Sequence, residues 1–244
     1  MSLIDATVAW FGDPAHWSGA AGIPNRLVEH LGLSAVALAI AIIIALPAGL
    51  AIGHTRRGAA FAANLANIGR AIPSLAVIGI AIPFTVLIDP QLGFKIYPTI
   101  VAMVILAIPP ILVNAEAGIV GVDRDLVESA RAMGMRERQV LRRIEIPIAL
   151  PVILAGIRSG ASQIVATMTL GAIFGSGGLG RFLVEGIAQR DIGMTAGGVV
   201  LVAGLALVVE AAFALLQRAT GTPAAQGRPP TVTRPSLGPA RLTP

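Results

Sequence analysis

The feature that most constrains this chain is an apolar run from Leu31 to Gly53 that contains no charged residue. A helix needs roughly 20 mostly apolar residues to cross the hydrocarbon core of a bilayer. The run does not alternate between apolar and polar residues, so it does not fit a strand of a transmembrane β-barrel. Charged residues make up only 13% of the chain, against about 25% in soluble domains. The sequence therefore predicts an all-α integral membrane protein.

Further apolar segments, at 71–88, 96–113, 146–174 and 193–216, bring the predicted transmembrane helices to five. Prolines interrupt the second and third spans. Such breaks either belong to ordinary packing between membrane helices or line a pathway, and both readings stay open. The adjacent Pro109 and Pro110 are the pair expected to break their helix. The residues that could form a pathway or gate are Pro73, Ser74, Pro109, Pro110, Gln163, Gly177 and Gly178.

The positions of lysine and arginine between the spans predict the orientation. With the N-terminus outside, the inner connecting segments hold ten arginines, whereas the outer segments hold four basic residues, Arg26, Lys95, Arg181 and Arg190. Cytoplasmic loops of membrane proteins carry an excess of lysine and arginine. We therefore expect the N-terminus outside and the C-terminus inside. Topology also accounts for the basic composition, so no nucleic acid is expected as a partner.

The chain divides into three parts. Residues 1–30 lack the basic start of a signal peptide, and Trp10 and Trp17 suit a short segment resting at the membrane interface; a solvated leader is the alternative. Residues 31–218 form the predicted transmembrane domain, with an inner loop at 116–146. Residues 219–244 combine many prolines with no apolar periodicity, which predicts a disordered cytoplasmic tail.

The inner loop between the third and fourth spans is densely charged, with the sequence ESARAMGMRERQVLRRIEIP at 128–147. Its pattern predicts two short helices around Gly134, where a left-handed residue ends a helix at little steric cost. Asp125 is expected to cap the first helix, with Glu128 three residues on, as in a capping box. The first helix has an apolar side, and the second is expected at about 137–145. Such an amphipathic hairpin is expected to lay its apolar side into a groove of another protein.

At this loop the sequence resembles the EAA loop of ATP-binding-cassette importer permeases. That pattern reads E-A-A, three residues, G, nine residues, I-x-L-P. Ser129 stands in place of alanine and Ile146 in place of leucine. The residues that carry the proposed coupling loop are Glu128, Ser129, Ala130, Arg131, Gly134, Ile144, Ile146 and Pro147.

The resemblance implies a permease subunit in the cell membrane rather than an enzyme. The loop would be a coupling helix that docks into a cleft of a separate cytoplasmic ATPase. The implied partners, besides the lipid bilayer, are two ATPase subunits, a second permease subunit (identical or homologous) and an extracytoplasmic binding protein. The stretches RAIPSLAVIGIAIP, ALPVILAGIRSGAS and GSGGLGRFLVEGI look like the branch that imports glycine betaine, choline or carnitine. Methionine-type permeases are built alike and remain the alternative.

Two charges lie inside predicted spans, Arg158 and Glu210. A charge in the hydrocarbon core is costly and normally faces the bundle or a partner. Counted from the inner ends of their spans, both lie at similar depths, roughly 16 and 12 Å at 1.5 Å per residue. We expect either a direct ion pair, or an Arg158 side chain that extends to the inner surface while Glu210 pairs with a loop arginine.

Other chemistries find little support. GSGGLG formally fits a dinucleotide-binding pattern, but it follows a membrane span instead of a strand. The histidines His16, His30 and His54 fall on separate segments, so no metal site and no cofactor is expected. No serine has a histidine partner at comparable depth, so no catalytic residue is expected. An autonomous secondary carrier would show an internal repeat, and none is visible.

Overall fold

The computed structural model describes residues 2–219, and these are helical apart from turns. The helices are α1 (Leu3–Gly12), α2 (Ile23–Thr55), α3 (Ala59–Ala71), α4 (Ser74–Val86), α5 (Leu92–Lys95), α6 (Tyr97–Val120), α7 (Arg124–Ala132), α8 (Glu137–Val140), α9 (Ile146–Gly171), α10 (Gly180–Gln189) and α11 (Ile192–Ala219). No strand occurs within 2–219, so the predicted all-α class is confirmed. Apart from Ala219, the predicted tail at 219–244 lies outside the described residues.

Three stretches are long and apolar enough to cross a membrane: Ile23–Thr55, Leu92–Val120 and Ile192–Ala219. Helix α9 is 26 residues long and follows the predicted fourth span closely, with a short 3-10 turn, Ala172–Phe174, at its end. Helix α4 is apolar but has only 13 residues. It is preceded by α3, another helix of 13 residues, which the sequence pattern did not predict.

The centre of the molecule is formed by α6, which lies between α2 and α9. Small residues on α2 allow this, because Ala37, Ala41, Ala45, Gly49 and Gly53 are all buried along one face. An added Cβ at Gly49 would lie 2.5 Å from the carbonyl oxygen of Leu112 on α6. Small residues at four-residue spacing let membrane helices approach at backbone distance. The three helices therefore pack as one tight body.

The expected break at Pro109 and Pro110 is wrong. Helix α6 runs through both prolines without interruption. Each proline removes one backbone hydrogen bond, but surrounding helices can hold a membrane helix together across such a gap. Here Gly69 of α3 leaves room for the ring of Pro109, since an added Cβ would lie 2.6 Å from its Cγ. The real break falls before Pro73, which separates α3 from α4.

The first thirty residues are more structured than a leader. Helix α1 packs on α11, and Trp10 is buried against Phe182, with ring centroids 5.2 Å apart. Trp17 remains half exposed and donates from its Nε1 to the Phe11 carbonyl at 2.8 Å. Helix α2 begins at Ile23, inside the segment assigned to the leader. Trp10 therefore belongs to the packed interior, whereas Trp17 stays partly exposed.

Candidate functional site

The charged loop folds into a closed helical hairpin, defined here as residues 121–145. Helix α7 ends at Ala132, and Gly134 then adopts a left-handed conformation with φ +84°. The amide of Met135 donates to the Ala130 carbonyl at 3.2 Å, and the amide of Gly134 donates to the Arg131 carbonyl at 2.9 Å. This is the hydrogen-bond pattern with which a glycine ends a helix.

The cap at the start of α7 differs from the expectation. Asp123, and not Asp125, is the capping residue, and its carboxylate accepts from the Asp125 amide at 2.9 Å. The capping box with Glu128 is therefore wrong. Glu128 instead lies 3.3 Å from Arg124, one helical turn away, and both side chains are exposed. Helix α7 therefore begins at Arg124, two residues earlier than the sequence pattern suggested.

The second arm of the hairpin is not an independent helix. It consists of α8 and a π-helical turn, Leu141–Glu145, which continues directly into α9 at Ile146. Pro147 takes the second position of α9, directly after the π-helical turn. The hairpin is thus attached without a flexible linker to a helix of the central body.

Most of the hairpin's apolar side chains pack against each other. Val122, Val127, Ala130 and Val140 are buried, with Ile144 packed against them. The apolar surface that remains outside comes from Leu126 and Met133, which are 43% and 78% exposed. Leu126 lies on α7, and Met133 directly follows the last residue of that helix. Glu128, Ser129 and Arg131 are exposed as well.

A chain of polar contacts ties the hairpin to the C-terminal end of α2. Arg131 donates to both carboxylate oxygens of Glu137 at 2.9 Å. This hydrogen bond lowers the pKa of Glu137 from its ordinary value and raises the pKa of Arg131. His54 then lies between two carboxylates: its Nε2 is 3.2 Å from Glu137, and its Nδ1 is 2.5 Å from the buried Glu145. Neither His54 nor Glu145 was among the site residues expected from the sequence.

A cavity of about 460 Å³ lies between α3–α4 and the central body. It brings together five of the seven residues suggested for a pathway or gate, namely Pro73, Ser74, Pro109, Pro110 and Gln163. Asn114 and Ser159 add neutral polar groups to its wall. No charged or aromatic side chain belongs to the described lining of this cavity. The described polar lining is therefore neutral and able to form hydrogen bonds.

The remaining two candidates, Gly177 and Gly178, lie in a separate turn before α10, which we call the glycine turn (residues 175–179). Both have positive φ, +85° and +72°. The amide of Gly178 donates to Glu29 Oε2 at 2.9 Å, and the amide of Leu179 donates to Nδ1 of His30 at 3.3 Å. The glycine turn is thus held by the first turns of α2. Glu29 and His30 were not among the residues expected from the sequence.

Arg158 and Glu210 come together between α9 and α11. Arg158 donates from Nε to Glu210 Oε1 at 2.5 Å, and Ser162 donates to the other carboxylate oxygen at 3.1 Å. Gln217 accepts from the guanidinium at 3.2 Å. These groups line an open depression that shares Ser159 with the cavity. The side chain of Arg158 is directed to Glu210 in this arrangement, as in the first of the two alternatives.

Within residues 2–219, no group of three or more histidine, aspartate or glutamate side chains is placed to hold a metal ion.

A family model, several characterised proteins and a solved structure are similar to this chain. Residues 28–221 match the family model described as "Binding-protein-dependent transport system inner membrane component". The chain is 36% identical over 217 residues to the carnitine transport permease protein OpuCB of Listeria monocytogenes, covering 88% of this chain and 93% of that protein. It is 35% identical to the glycine betaine/carnitine/choline transport system permease protein OpuCB of Bacillus subtilis (strain 168), covering 82% of this chain and 88% of that one.

The osmoprotectant import permease protein OsmW of Salmonella typhimurium is 36% identical over 182 residues, or 75% of this chain and 84% of that protein. Among solved structures, a chain of the MetNI methionine ABC transporter in an inward-facing conformation superposes with a TM-score of 0.72 at 26% identity. That superposition covers 82% of this chain and 97% of the other.

Proposed function

Because this chain belongs to the family of inner-membrane components of binding-protein-dependent transport systems, we propose that it forms the membrane pathway for osmoprotectants such as glycine betaine, carnitine and choline. The protein is the permease subunit of an ATP-binding-cassette importer and resides in the cell membrane. ATP is hydrolysed by a separate subunit. The substrate class is proposed on the basis of its relatives, which transport carnitine, glycine betaine or choline.

Five membrane crossings with the N-terminus outside are proposed for the fold described above. The spans would be α2, the α3–α4 pair, α6, α9 and α11. The excess of arginine in the segments that this topology assigns to the inside supports the orientation. It places the hairpin in the cytoplasm and the glycine turn outside.

One observation supports the proposed coupling between the ATPase and the pathway. The hairpin directly connects α6 and α9, and both helices line the cavity. Helix α6 contributes Pro109, Pro110 and Asn114 to the wall, and α9 contributes Ser159 and Gln163. Since the hairpin has its own buried core and no flexible linker to α9, a movement imposed on it would move both walls. We propose that Leu126, Met133 and the charged residues around them dock on the ATPase, and that the cavity is part of the pathway.

The complete pathway is proposed to need a second permease subunit, identical or homologous, together with two ATPase subunits and an extracytoplasmic binding protein. Helices α3, α4, α6 and α9 contribute to the lining of the cavity, and a second subunit would complete the pathway around it. The half-exposed Arg158–Glu210 pair supports this arrangement, because a charged pair is costly next to lipid and is expected to face a partner or water.

Substrate selectivity is proposed to reside in the binding protein. Quaternary ammonium groups are held by cages of aromatic rings through cation–π attraction. The described lining of the cavity includes no aromatic residue. A pathway that must release a cation also gains from avoiding a deep site. A tight substrate site on the isolated permease, detected by calorimetry, would contradict this view.

The test is uptake into proteoliposomes that contain this permease, its ATPase and its binding protein. We expect ATP-dependent uptake of labelled glycine betaine, carnitine or choline, and none when the ATPase is omitted. Uptake of methionine alone would favour the methionine-type branch, whose transporter shares the fold. Uptake driven by an ion gradient without the ATPase would identify an autonomous carrier and refute the proposal.

A further inference from the structure

Helix α2 makes polar contacts with two separate segments, the hairpin near its C-terminal end and the glycine turn near its N-terminal end. At its inner end, His54 bridges Glu137 and Glu145 of the hairpin, at 3.2 and 2.5 Å. Each of the two ring nitrogens faces a carboxylate oxygen, so one side chain of α2 links two positions of the hairpin. Because Glu145 is only 3% exposed, the loss of this partner would leave a buried carboxylate with one contact fewer.

At its outer end, α2 holds the glycine turn through adjacent residues. Glu29 accepts from the Gly178 amide at 2.9 Å. His30 is fully buried and accepts from the Leu179 amide through Nδ1, while its Nε2 lies 3.3 Å from the Val165 carbonyl. Since Nδ1 accepts, Nε2 carries the hydrogen that it donates. A neutral ring therefore satisfies both contacts and links the glycine turn to α2 and α9 at once.

Helix α2 is continuous between these two sets of contacts. Helix α2 has 33 residues and is not interrupted by Pro47, which gives it a length of roughly 50 Å at 1.5 Å per residue. Its buried stripe of small residues ends at Gly53, next to His54, where an added Cβ would lie 2.7 Å from the Cβ of Ile119. Along this one face α2 packs on α6 at backbone distance, which holds the two helices together.

We propose that α2 carries the movement of the hairpin to the glycine turn, and that His54, Glu29 and His30 are the positioning residues of this link. In this role, His54 couples a displacement of the hairpin to α2. Glu29 and His30 couple the displacement of α2 to the glycine turn. The inference rests on the proposed function, since it requires an ATPase that moves the hairpin. It goes beyond that function by assigning a path between the two faces of the membrane.

The experiment measures movement on the outer side in the complete, reconstituted importer. The chain has no cysteine, so spin labels can be attached at Gln91→Cys and Ala188→Cys alone. Both positions are exposed, one beside α5 and one on α10, which follows the glycine turn. Electron–electron distance measurements with and without trapped ATP report whether the outer side responds. ATP hydrolysis and uptake are measured on the same samples.

The variants are His54→Gln, which cannot place donors toward both carboxylates, and Glu29→Leu, which removes the acceptor for Gly178. Their matched controls are Thr55→Val, whose hydroxyl bonds only within α2 at 2.7 Å to Ala51, and Val28→Ala at an exposed site. Glu29→Gln keeps an acceptor oxygen and should restore most of the response. A purely structural defect would not be rescued in this way.

We expect both variants to hydrolyse ATP, to lose the ATP-driven distance change, and to import roughly 2- to 30-fold less substrate per ATP. The double variant should lose no more than either single one, because both interrupt the same link. The proposal would be overturned if the variants kept the ATP-driven distance change of the unmodified importer. It would also be overturned if the losses of uptake per ATP in the two single variants added up in the double variant. If the importer does not assemble with His54→Gln, the result for Glu29→Leu alone tests the proposal. Failure of the proposed function would appear differently, as absence of ATP-driven uptake in the unmodified importer.

Discussion

Substitution of Gly134 tests whether the shape of the hairpin matters for coupling. This glycine has φ +84°, and an added Cβ would meet no atom within 4 Å. A side chain there therefore costs backbone strain and causes no clash. The left-handed region costs an L-residue about 1–2 kcal/mol, and a β-branched residue suffers most. Asparagine tolerates this region better than other side chains.

The expected order of function is therefore glycine, then asparagine, then alanine, then valine. A cost of 1–2 kcal/mol shifts the equilibrium between the closed and the opened turn by about 5- to 30-fold. Gly134→Val should reach the membrane in normal amounts, yet bind the ATPase more weakly and lose stimulated ATP hydrolysis and uptake. Binding of the ATPase to the purified permease measures the first effect directly.

The control is Gly204→Val on α11, where an added Cβ also meets no atom within 4 Å but φ is not positive. It should behave as the unmodified protein does. If Gly134→Val and Gly134→Asn both couple normally, the left-handed turn is not needed. If they fail equally, the loss does not come from backbone strain. Either result would refute the reasoning.

Three further outcomes are expected. Arg158→Gln and Glu210→Gln should each impair folding or transport, while exchanging the two charges should restore part of the uptake. Gly49→Val should lower the thermal stability of the detergent-solubilised protein, by about 1–3 kcal/mol, because its side chain would press against a carbonyl of α6. The Arg131–Glu137 contact should fail in acid: it holds the pKa of Glu137 below its ordinary value, so its contribution is fully present above that ordinary value and is lost as the pH falls through the lowered pKa. Hydrogen exchange of the hairpin amides measures this loss.

Each of these has its own control. Strictly additive losses without rescue in the exchanged variant would argue that the Arg158 side chain extends to the inner surface instead of pairing. Gly79→Val, where an added Cβ has open space, should leave thermal stability nearly unchanged; an equal loss at both glycines would remove the packing explanation. In Arg131→Gln, the hairpin amides should be less protected from hydrogen exchange already at neutral pH, and their protection should fall little further in acid. Protection equal to that of the unmodified protein would refute the role of the contact.

Local signals predicted the parts of this molecule that depend on local chemistry. The start of α9 at Ile146 follows from an apolar run after a charged loop. The left-handed Gly134 follows from a glycine between two amphipathic stretches. Pro73, Ser74 and Gln163 were recognised as polar or helix-breaking residues inside spans, and the fold gathers them around one cavity.

What the sequence could not supply depends on packing between distant segments. His54 and Glu145 are 91 positions apart and share no local pattern. Glu29 reaches the glycine turn across 149 positions. The expected break at Pro109 failed for the same reason, since whether a proline interrupts a membrane helix depends on the neighbours that support it. Trp10 is buried because of Gly197 on α11, where any Cβ would overlap its ring.

The measurement that tests the central claim most directly is a photo-crosslink from the hairpin. A benzophenone maleimide attached at Met133→Cys, in a chain without other cysteines, places the reactive group at the exposed tip of α7. Ile187→Cys on α10, also exposed, serves as the control on the opposite side of the proposed topology. After illumination of the assembled importer, we expect an adduct with the ATPase from Met133→Cys and none from Ile187→Cys. An ATPase adduct from Ile187→Cys, or none from Met133→Cys in a complex that hydrolyses ATP, would contradict the account.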